Sequence, residues 1–233
     1  LIGIGLGTVL LPTISAQLGR GEDAAAMETQ NRGMELALFL TLPATAALIV
    51  CGQPIVAALF QHGAFTPADT VATAQSLAAF SIGLPAYILV KVLTPGFYAR
   101  QDTRTPVRYA TASMVVNLVL NLAFIYPLGH TGPPLATALA STVNVVLLWR
   151  ALVAKGHFVA DAQLKRRAWR LVLAALLMGV VMWFANDLFR PYTTGPSLHR
   201  WGAMLVLVSA GALVYFAATF LFGAFRVADV RRL

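Results

Sequence analysis

The chain is a succession of apolar runs, each about as long as a bilayer is thick, joined by short polar connections. Seven such runs emerge, at about 1–18, 34–60, 71–98, 107–128, 134–154, 168–186 and 201–225. A helix that crosses the hydrocarbon needs about 20 mostly apolar residues. Backbone amides and carbonyls find no partner in lipid, so each run must satisfy its own, and only a helix does that within one segment. Charged residues make up 11% of the 233, against about 25% in a soluble domain. That is too few to cover a water-facing surface. The fold class is therefore all-α, a polytopic transmembrane helix bundle of about seven spans.

The connections are 19–33, 61–69, 99–106, 129–133, 154–167 and 186–200, with a tail at 226–233, and Pro and Gly punctuate them. Alternating the runs across a membrane puts almost every Lys and Arg on one side. That side holds Arg20, Arg32, Arg100, Arg104, Arg108, Arg150, Lys155, Lys165, Arg166, Arg167, Arg170, Arg226, Arg231 and Arg232, and the other holds Arg190 and Arg200. Basic residues accumulate in cytoplasmic loops, so the first group and the C-terminus are predicted to be cytoplasmic. The role expected of Arg100, Arg104, Arg108, Lys165, Arg166 and Arg167 is to set this topology. It also accounts for the net charge of +8 without nucleic acid, which would call for a basic patch on a polar domain. Leu1 then lies outside. The opening Leu1-Ile2-Gly3 has neither Met nor a charged leader, which reads as the C-terminal portion of a longer protein. Trp149, Trp169, Trp201, Phe97 and Tyr98 fall near span ends, where an interfacial aromatic belt is expected.

Little in the chain reads as catalytic. The nine carboxylates fall in connections or at span ends. No acidic residue is expected mid-membrane, where a proton relay would place one, and no paired carboxylates are spaced to hold Mg²⁺ and a diphosphate. His62, His130, His157 and His199 are scattered, without metal-ligand spacing. Cys51 stands alone and reads as a small apolar residue in a helix. No catalytic residue, metal site or cofactor is expected.

Two sets of polar residues stand inside apolar runs. Lys91 follows Pro-Ala-Tyr-Ile-Leu-Val, nine residues before Arg100, or about 13 Å of helix rise. A charge near the helix centre costs about 2.5–3.5 kcal/mol on insertion scales. Either Lys91 faces an aqueous cavity and meets an anionic substrate, or it snorkels to the cytoplasmic headgroups. A helix break expected at Thr94-Pro95-Gly96 would open space beside it. Asn117 and Asn121 stand at i, i+4 on one face of the fourth run, and Thr137, Ser141, Thr142 and Asn144 stud the fifth. Their oxygens could hold a small cation. Ordinary interhelical hydrogen bonding, about 0.6 kcal/mol each, is the plainer reading. Pro12, Pro43, Pro54, Pro85 and Pro95 within or beside the runs, with dense small residues, fit helices that rock against each other.

Three stretches carry a family resemblance: GTVLLPTISAQLGRGE at the start, LFQHGAFTPADT at 59–70, and AAFSIGLPAYILV followed by KVLTPGFYARQDTRTPV at 78–107. In order and spacing they closely resemble the MurJ/MviN family of lipid II flippases, strongly over about 1–145 and by helix count beyond. The resemblance implies a fourteen-helix fold of the multidrug/oligosaccharidyl-lipid/polysaccharide exporter (MOP, MATE-like) type, in which two six-helix lobes surround a cationic cavity and two helices follow. Residues 1–155 would supply most of the C-terminal lobe and 156–233 the two additional helices, which border a groove for a polyprenyl tail. It implies a protein of the bacterial inner membrane. Its substrate would be undecaprenyl-diphosphate-linked disaccharide-pentapeptide (lipid II), moved outward by alternating access. Its partners would be membrane lipids and an N-terminal lobe missing from this chain, with possible coupling to a Na⁺ or H⁺ gradient or the membrane potential. The family's essential cavity arginines lie before this segment. Some members build a sodium site from an Asn, an Asp four residues later and a Thr on the next helix. Asn117 and Thr137 fit, but Asn121 stands where the Asp would be. Another superfamily exporter of polysaccharide-lipid or drugs is the nearest alternative. A membrane-embedded lipid-diphosphate transferase would need a metal site the chain lacks, and Pro-broken spans count against a scaffold.

Overall fold

The computed structural model describes residues 2–188 and 197–224. Among these, every regular element is helical. In chain order they are α1 (Ile2–Gly19), α2 (Asp23–Val50), α3 (Gly52–Phe60), α4 (Pro67–Ser81), α5 (Leu84–Tyr98), α6 (Arg104–Leu128), α7 (Gly132–Ala154), α8 (Ala162–Leu188) and α9 (Ser197–Leu221), with a short 3-10 turn at Gly129–Thr131 between α6 and α7.

Five stretches in the described residues are long and apolar enough to cross a membrane. One of them, Arg104–Ala154, has 51 residues, about twice what one crossing needs. It doubles back at Gly129, whose φ of 54° and ψ of −128° suit a residue without a Cβ. The returning α7 is bonded to α6 along its length: Ser113 Oγ donates to the Ala140 carbonyl at 2.5 Å, and Asn117 Nδ2 to Thr137 Oγ1 at 3.1 Å. The fourth and fifth expected spans are thus an antiparallel hairpin. The first expected run forms α1, which has 18 residues and falls outside those five stretches.

Other boundaries differ from expectation. Helix α2 starts at Asp23 rather than near residue 34. Its first turns lack an apolar run but are rich in Ala, Met, Glu and Gln, all strong helix formers. The expected second run breaks at Cys51, which is buried at the α2–α3 junction rather than within a helix. The expected third run breaks at Ile82–Gly83, and Pro85 then sits in the first turn of α5, where its missing N–H costs nothing. A side chain on Gly83 would strike the Ala138 backbone at 2.8 Å, so α5 meets α7 here through glycine.

The chain divides into two compact units, 1–41 with 83–168 and 42–82 with 169–233. They interleave along the sequence and are defined by compactness, unlike the blocks 1–155 and 156–233. In the second unit α3 packs on α4 and α9. The α3–α4 connection, part of the LFQHGAFTPADT stretch, ends in a reciprocal cap: Asp69 N donates to Thr66 Oγ1, and Thr66 N donates to Asp69 Oδ2. Gly211 admits the Met182 side chain between α8 and α9.

The first unit contains the site. Its core comprises Leu10, Ile14, Met34, Val92, Leu93, Phe97, Leu148, Leu152 and Phe158. Phe97, expected in the aromatic belt, is fully buried in this core. Glycines let α1, α2 and α5 close together, as packing in lipid favours: a Cβ on Gly33 would lie 2.9 Å from the Leu10 side chain. The break expected at Thr94-Pro95-Gly96 does not occur, and α5 continues to Tyr98. Pro95 has no N–H to give its own helix. Buried Gln30 of α2 reinforces this turn by donating from Nε2 to the Val92 and Leu93 carbonyls, both at 3.3 Å. Gly96 makes room for it, since a Cβ there would lie 2.6 Å from Gln30 Nε2.

Gly96→Ala should therefore push Gln30 off α5 and destabilise the full-length protein by about 1–3 kcal/mol. Gly19→Ala, where an added Cβ meets nothing within 4 Å, should be near neutral. Thermal melts of both variants in detergent check the contrast.

Candidate functional site

Several helix ends of the first unit gather at one pole. Helix α5 closes with Gln101 at φ 59°, and Asp102 N donates back to the Phe97 carbonyl. Arg100 folds over this end, donating from Nη1 to the Gly96 carbonyl at 2.8 Å, with Asp23 at the start of α2 3.8 Å away. Asp102 then opens α6 by accepting from Thr105 N and Thr105 Oγ1, and Lys155 at the end of α7 pairs with it at 2.5 Å. This bond, with those from Thr105, holds the Asp102 carboxyl far below the usual carboxylate range. The basic stretch is thus divided: Arg100 is tied down, while Arg104 and Arg108 are exposed one turn apart on α6. Lys165 and Arg166 are exposed on α8, and none of these four takes part in the ion pairs seen among the described residues.

A cavity of about 420 Å³ runs into the unit from this pole, and four helices each contribute one face. From α5 come Val90, Lys91, Thr94, Pro95 and Tyr98; from α6 Pro106, Val107 and Ala110; from α1 Gly7 and Leu11; from α7 Asn144 and Leu148. Lys91, Thr94, Pro95 and Tyr98 follow the i, i+3, i+4, i+7 pattern of a single helix stripe. Pro106 to Ala110 lie in the first two turns of α6, so the cavity reaches from the basic pole to Lys91. Thr94 is satisfied locally, its hydroxyl donating to the Val90 carbonyl at 2.7 Å. Lys91 is exposed and enters none of the ion pairs among the described residues. Asn144 Oδ1 is buried and has no hydrogen-bond partner among the described residues.

Asn117, Asn121 and Thr137 do come together, and they satisfy one another. Besides the Asn117–Thr137 bond, Asn121 Nδ2 donates to the Asn117 carbonyl at 2.9 Å and to Asn117 Oδ1 at 3.0 Å. Thr137 Oγ1 donates to the Pro133 carbonyl at 2.9 Å. The Asn117–Thr137 bond joins α6 to α7, and the Asn121–Asn117 bonds lie within α6. Among the described residues no group of three or more His, Cys, Asp or Glu is placed to hold a metal.

A polar cluster in the same unit escaped the sequence reading. Glu35, expected at a span end, is buried inside α2. It pairs with Arg32 on its own helix and with Arg167 of α8 at 2.9 Å. Arg32 also pairs with Asp161, whose Oδ1 accepts from Leu164 N at the start of α8. Asn31 donates to the Val159 carbonyl at 3.0 Å and accepts from Asp161 N at 3.2 Å. The cluster ties the linker after α7, and the first turn of α8, to α2. Arg167 therefore has a specific partner besides any role in topology.

The profile of the family described as "Lipid II flippase MurJ" matches residues 1–201, most of the chain. The chain belongs to this family. A "Probable lipid II flippase MurJ" from Rhizobium meliloti (strain 1021) is 40% identical over 99% of this chain, and one from Vibrio cholerae serotype O1 is 34% identical over 99%. In each case the match spans 44% of the relative, so the chain covers less than half the length of these MurJ proteins. The solved structure "Lipid II flippase MurJ, inward closed conformation" superposes with a TM-score of 0.76 at 27% identity, over 95% of this chain and 43% of that one. The MurJ resemblance seen in the three quoted stretches is confirmed. The MurJ family is one of transporters, not enzymes.

The pole should respond to pH through His157. Its imidazole is held below its ordinary value of 6.5, first by burial and then by Arg100 and Lys155, with Asp23 and Asp102 opposing. The folded state thus disfavours protonation, so its stability is full above pH about 6.5 and falls as the pH drops below it. The melting temperature should decline from pH 7 to 5, and less steeply in His157→Gln. Asp102 adds little to that slope, because a depressed carboxyl costs stability only where its unfolded counterpart, with an ordinary value of 3.8, starts to take a proton, below about pH 5. Separately, Arg167→Leu leaves buried Glu35 with a single cation and should cost about 3 kcal/mol, read as a lowered melting temperature of the full-length protein.

Proposed function

We propose that the chain is the C-terminal portion of a lipid II flippase, a protein that moves undecaprenyl-diphosphate-linked disaccharide-pentapeptide from the cytoplasmic to the outer leaflet. Family membership over residues 1–201 is the observation that carries this reading. In it, 1–155 supplies most of the C-terminal lobe and 156–233 the two appended helices. The basic pole faces the cytoplasm, as does the C-terminus, because Lys and Arg concentrate on that side. The diphosphate cannot cross hydrocarbon unaided. An unpaired Lys91 at the inner end of a cavity open toward the basic pole gives it a cationic contact, and rocking of the two lobes would expose the path to each leaflet in turn. The N-terminal lobe and membrane lipids are the partners this requires.

Of the driving forces considered, Na⁺, H⁺ and membrane potential, the Asn117–Asn121–Thr137 cluster argues against Na⁺ held at that place. Asn121 Nδ2 already donates to the Asn117 oxygens that a cation would use.

The test is depletion of the resident flippase in a bacterial host and rescue with the full-length protein, reading how much lipid II becomes accessible outside the cell. The wild type should restore growth and accessibility, and Lys91→Gln should lower accessibility several-fold at equal expression. A wild-type protein that reaches the membrane and leaves lipid II inaccessible would overturn the reading.

A further inference from the structure

Helix α5 presents different residues to its two sides. At 3.6 residues per turn, Lys91, Thr94, Pro95 and Tyr98 form the stripe that lines the cavity, and Val92, Leu93, Gly96 and Phe97 form the buried stripe behind it. Pro95 weakens the turn that carries Lys91. It has no N–H to donate to the carbonyl four residues back, which is that of Lys91 itself, and its ring crowds that carbonyl. A turn that loses this bond can bend or twist, and the direction of the Lys91 side chain goes with it. On the cavity side α1 presents Gly7 to the Lys91 carbonyl, with an added Cβ still 3.8 Å away, and so offers no side chain to hold the turn. The hydrogen bonds that do hold it fall on the carbonyls to either side of this gap. The Thr94 hydroxyl donates to Val90, and Gln30 Nε2 reaches from α2 to Val92 and Leu93. Of these donors only Gln30 belongs to another helix, so it fixes the turn against the rest of the unit. An amide buried for packing alone would cost more than an apolar side chain of its size.

We propose that Gln30 is a positioning residue for Lys91. It holds the back of the turn that Pro95 weakens, and thereby keeps the ammonium on the opposite face directed along the cavity. Gly96 is part of the same device, because a Cβ there would lie 2.6 Å from Gln30 Nε2 and displace the amide. This role rests on the flippase reading and deepens it: Gln30 touches no substrate and acts on transport only through Lys91.

The experiment uses the full-length protein in the depleted host, reading lipid II accessibility outside the cell at equal expression. Gln30→Met keeps the length of the side chain and removes the donor. It should lower accessibility about fivefold, the factor that corresponds to about 1 kcal/mol of lost hydrogen bonding. Placed on Lys91→Gln, the same change should add no further loss, because no ammonium is left to direct. The melting temperature in detergent should drop by the same amount with Lys or Gln at position 91, so a loss that merely followed stability would appear in both backgrounds. Pro95→Ala returns an N–H to the Lys91 carbonyl, and combining it with Gln30→Met should regain most of the accessibility that Gln30→Met loses. Should Gln30→Met not reach the membrane, Gly96→Ala displaces the amide without removing it, and the same comparison in the two backgrounds applies. Undiminished accessibility in Gln30→Met, an equal loss in both backgrounds, or no recovery with Pro95→Ala would overturn the role of Gln30 and leave the flippase reading standing. A wild-type protein that fails to rescue would overturn that reading, and the role of Gln30 with it.

Discussion

Hydrocarbon offers no hydrogen-bond partner, and the first unit is arranged around that fact. Each polar group carried into the bundle must be matched within the protein. Gln30 shows how this shapes a helix. Pro95 would ordinarily weaken its turn, yet α5 runs through it with Gln30 bonded to the Val92 and Leu93 carbonyls and Gly96 left small so that the amide fits. The same demand joins α6 to α7 through Ser113, Asn117 and Thr137, and α2 to the start of α8 through Glu35 and Arg167. Polar side chains in this unit therefore do structural work first, and a functional role must be argued from what remains unmatched.

Buried ion pairs gain little over apolar packing because desolvation offsets their attraction. Their value in the Glu35 cluster lies in geometry. A carboxylate between Arg32 and Arg167 fixes which turn of α8 lies against which turn of α2, whereas small apolar residues could slide past each other. The basic pole uses a similar device at lower cost. Lys155 and Asp102 are partly exposed, so their pairing is screened, but Asp102 also caps α6, and one carboxylate thereby sets the end of α7 against the start of α6.

The helical class and most of the spans were legible because length and apolarity are properties of a run taken alone. The α6–α7 hairpin was legible for the same reason, with GHTGP marking the reversal. The onset of α2 at Asp23 was not, since helix-forming polar residues carry no membrane signal. The breaks at Cys51 and Ile82–Gly83 were hidden because apolar composition does not change across them. Glu35 and Arg167 stand 132 residues apart, and nothing local links them. The i, i+4 pair Asn117 and Asn121 was visible as a face, whereas the direction in which its amides point required the neighbouring helix. Asn144 looked like one of several polar residues studding α7, and only the cavity sets it apart from Thr137 and Thr142, whose hydroxyls bond back to their own helix.

The two sequence readings of Lys91, snorkelling to the headgroups or facing a cavity, are compatible with one geometry, since Lys91 lines the cavity. The stripe that leads from Lys91 toward the basic pole passes Thr94, Pro95 and Tyr98, and these residues are also a wall of the cavity. A lysine that extends along this stripe toward the headgroups extends along the cavity as well. Under the flippase reading proposed above, water entering this route would make the charge tolerable in the membrane and would leave it available to an anion. Removing the charge would relieve the insertion cost and forfeit the contact together, so an effect of Lys91→Gln on transport at unchanged expression separates the two contributions where the position of the residue alone does not.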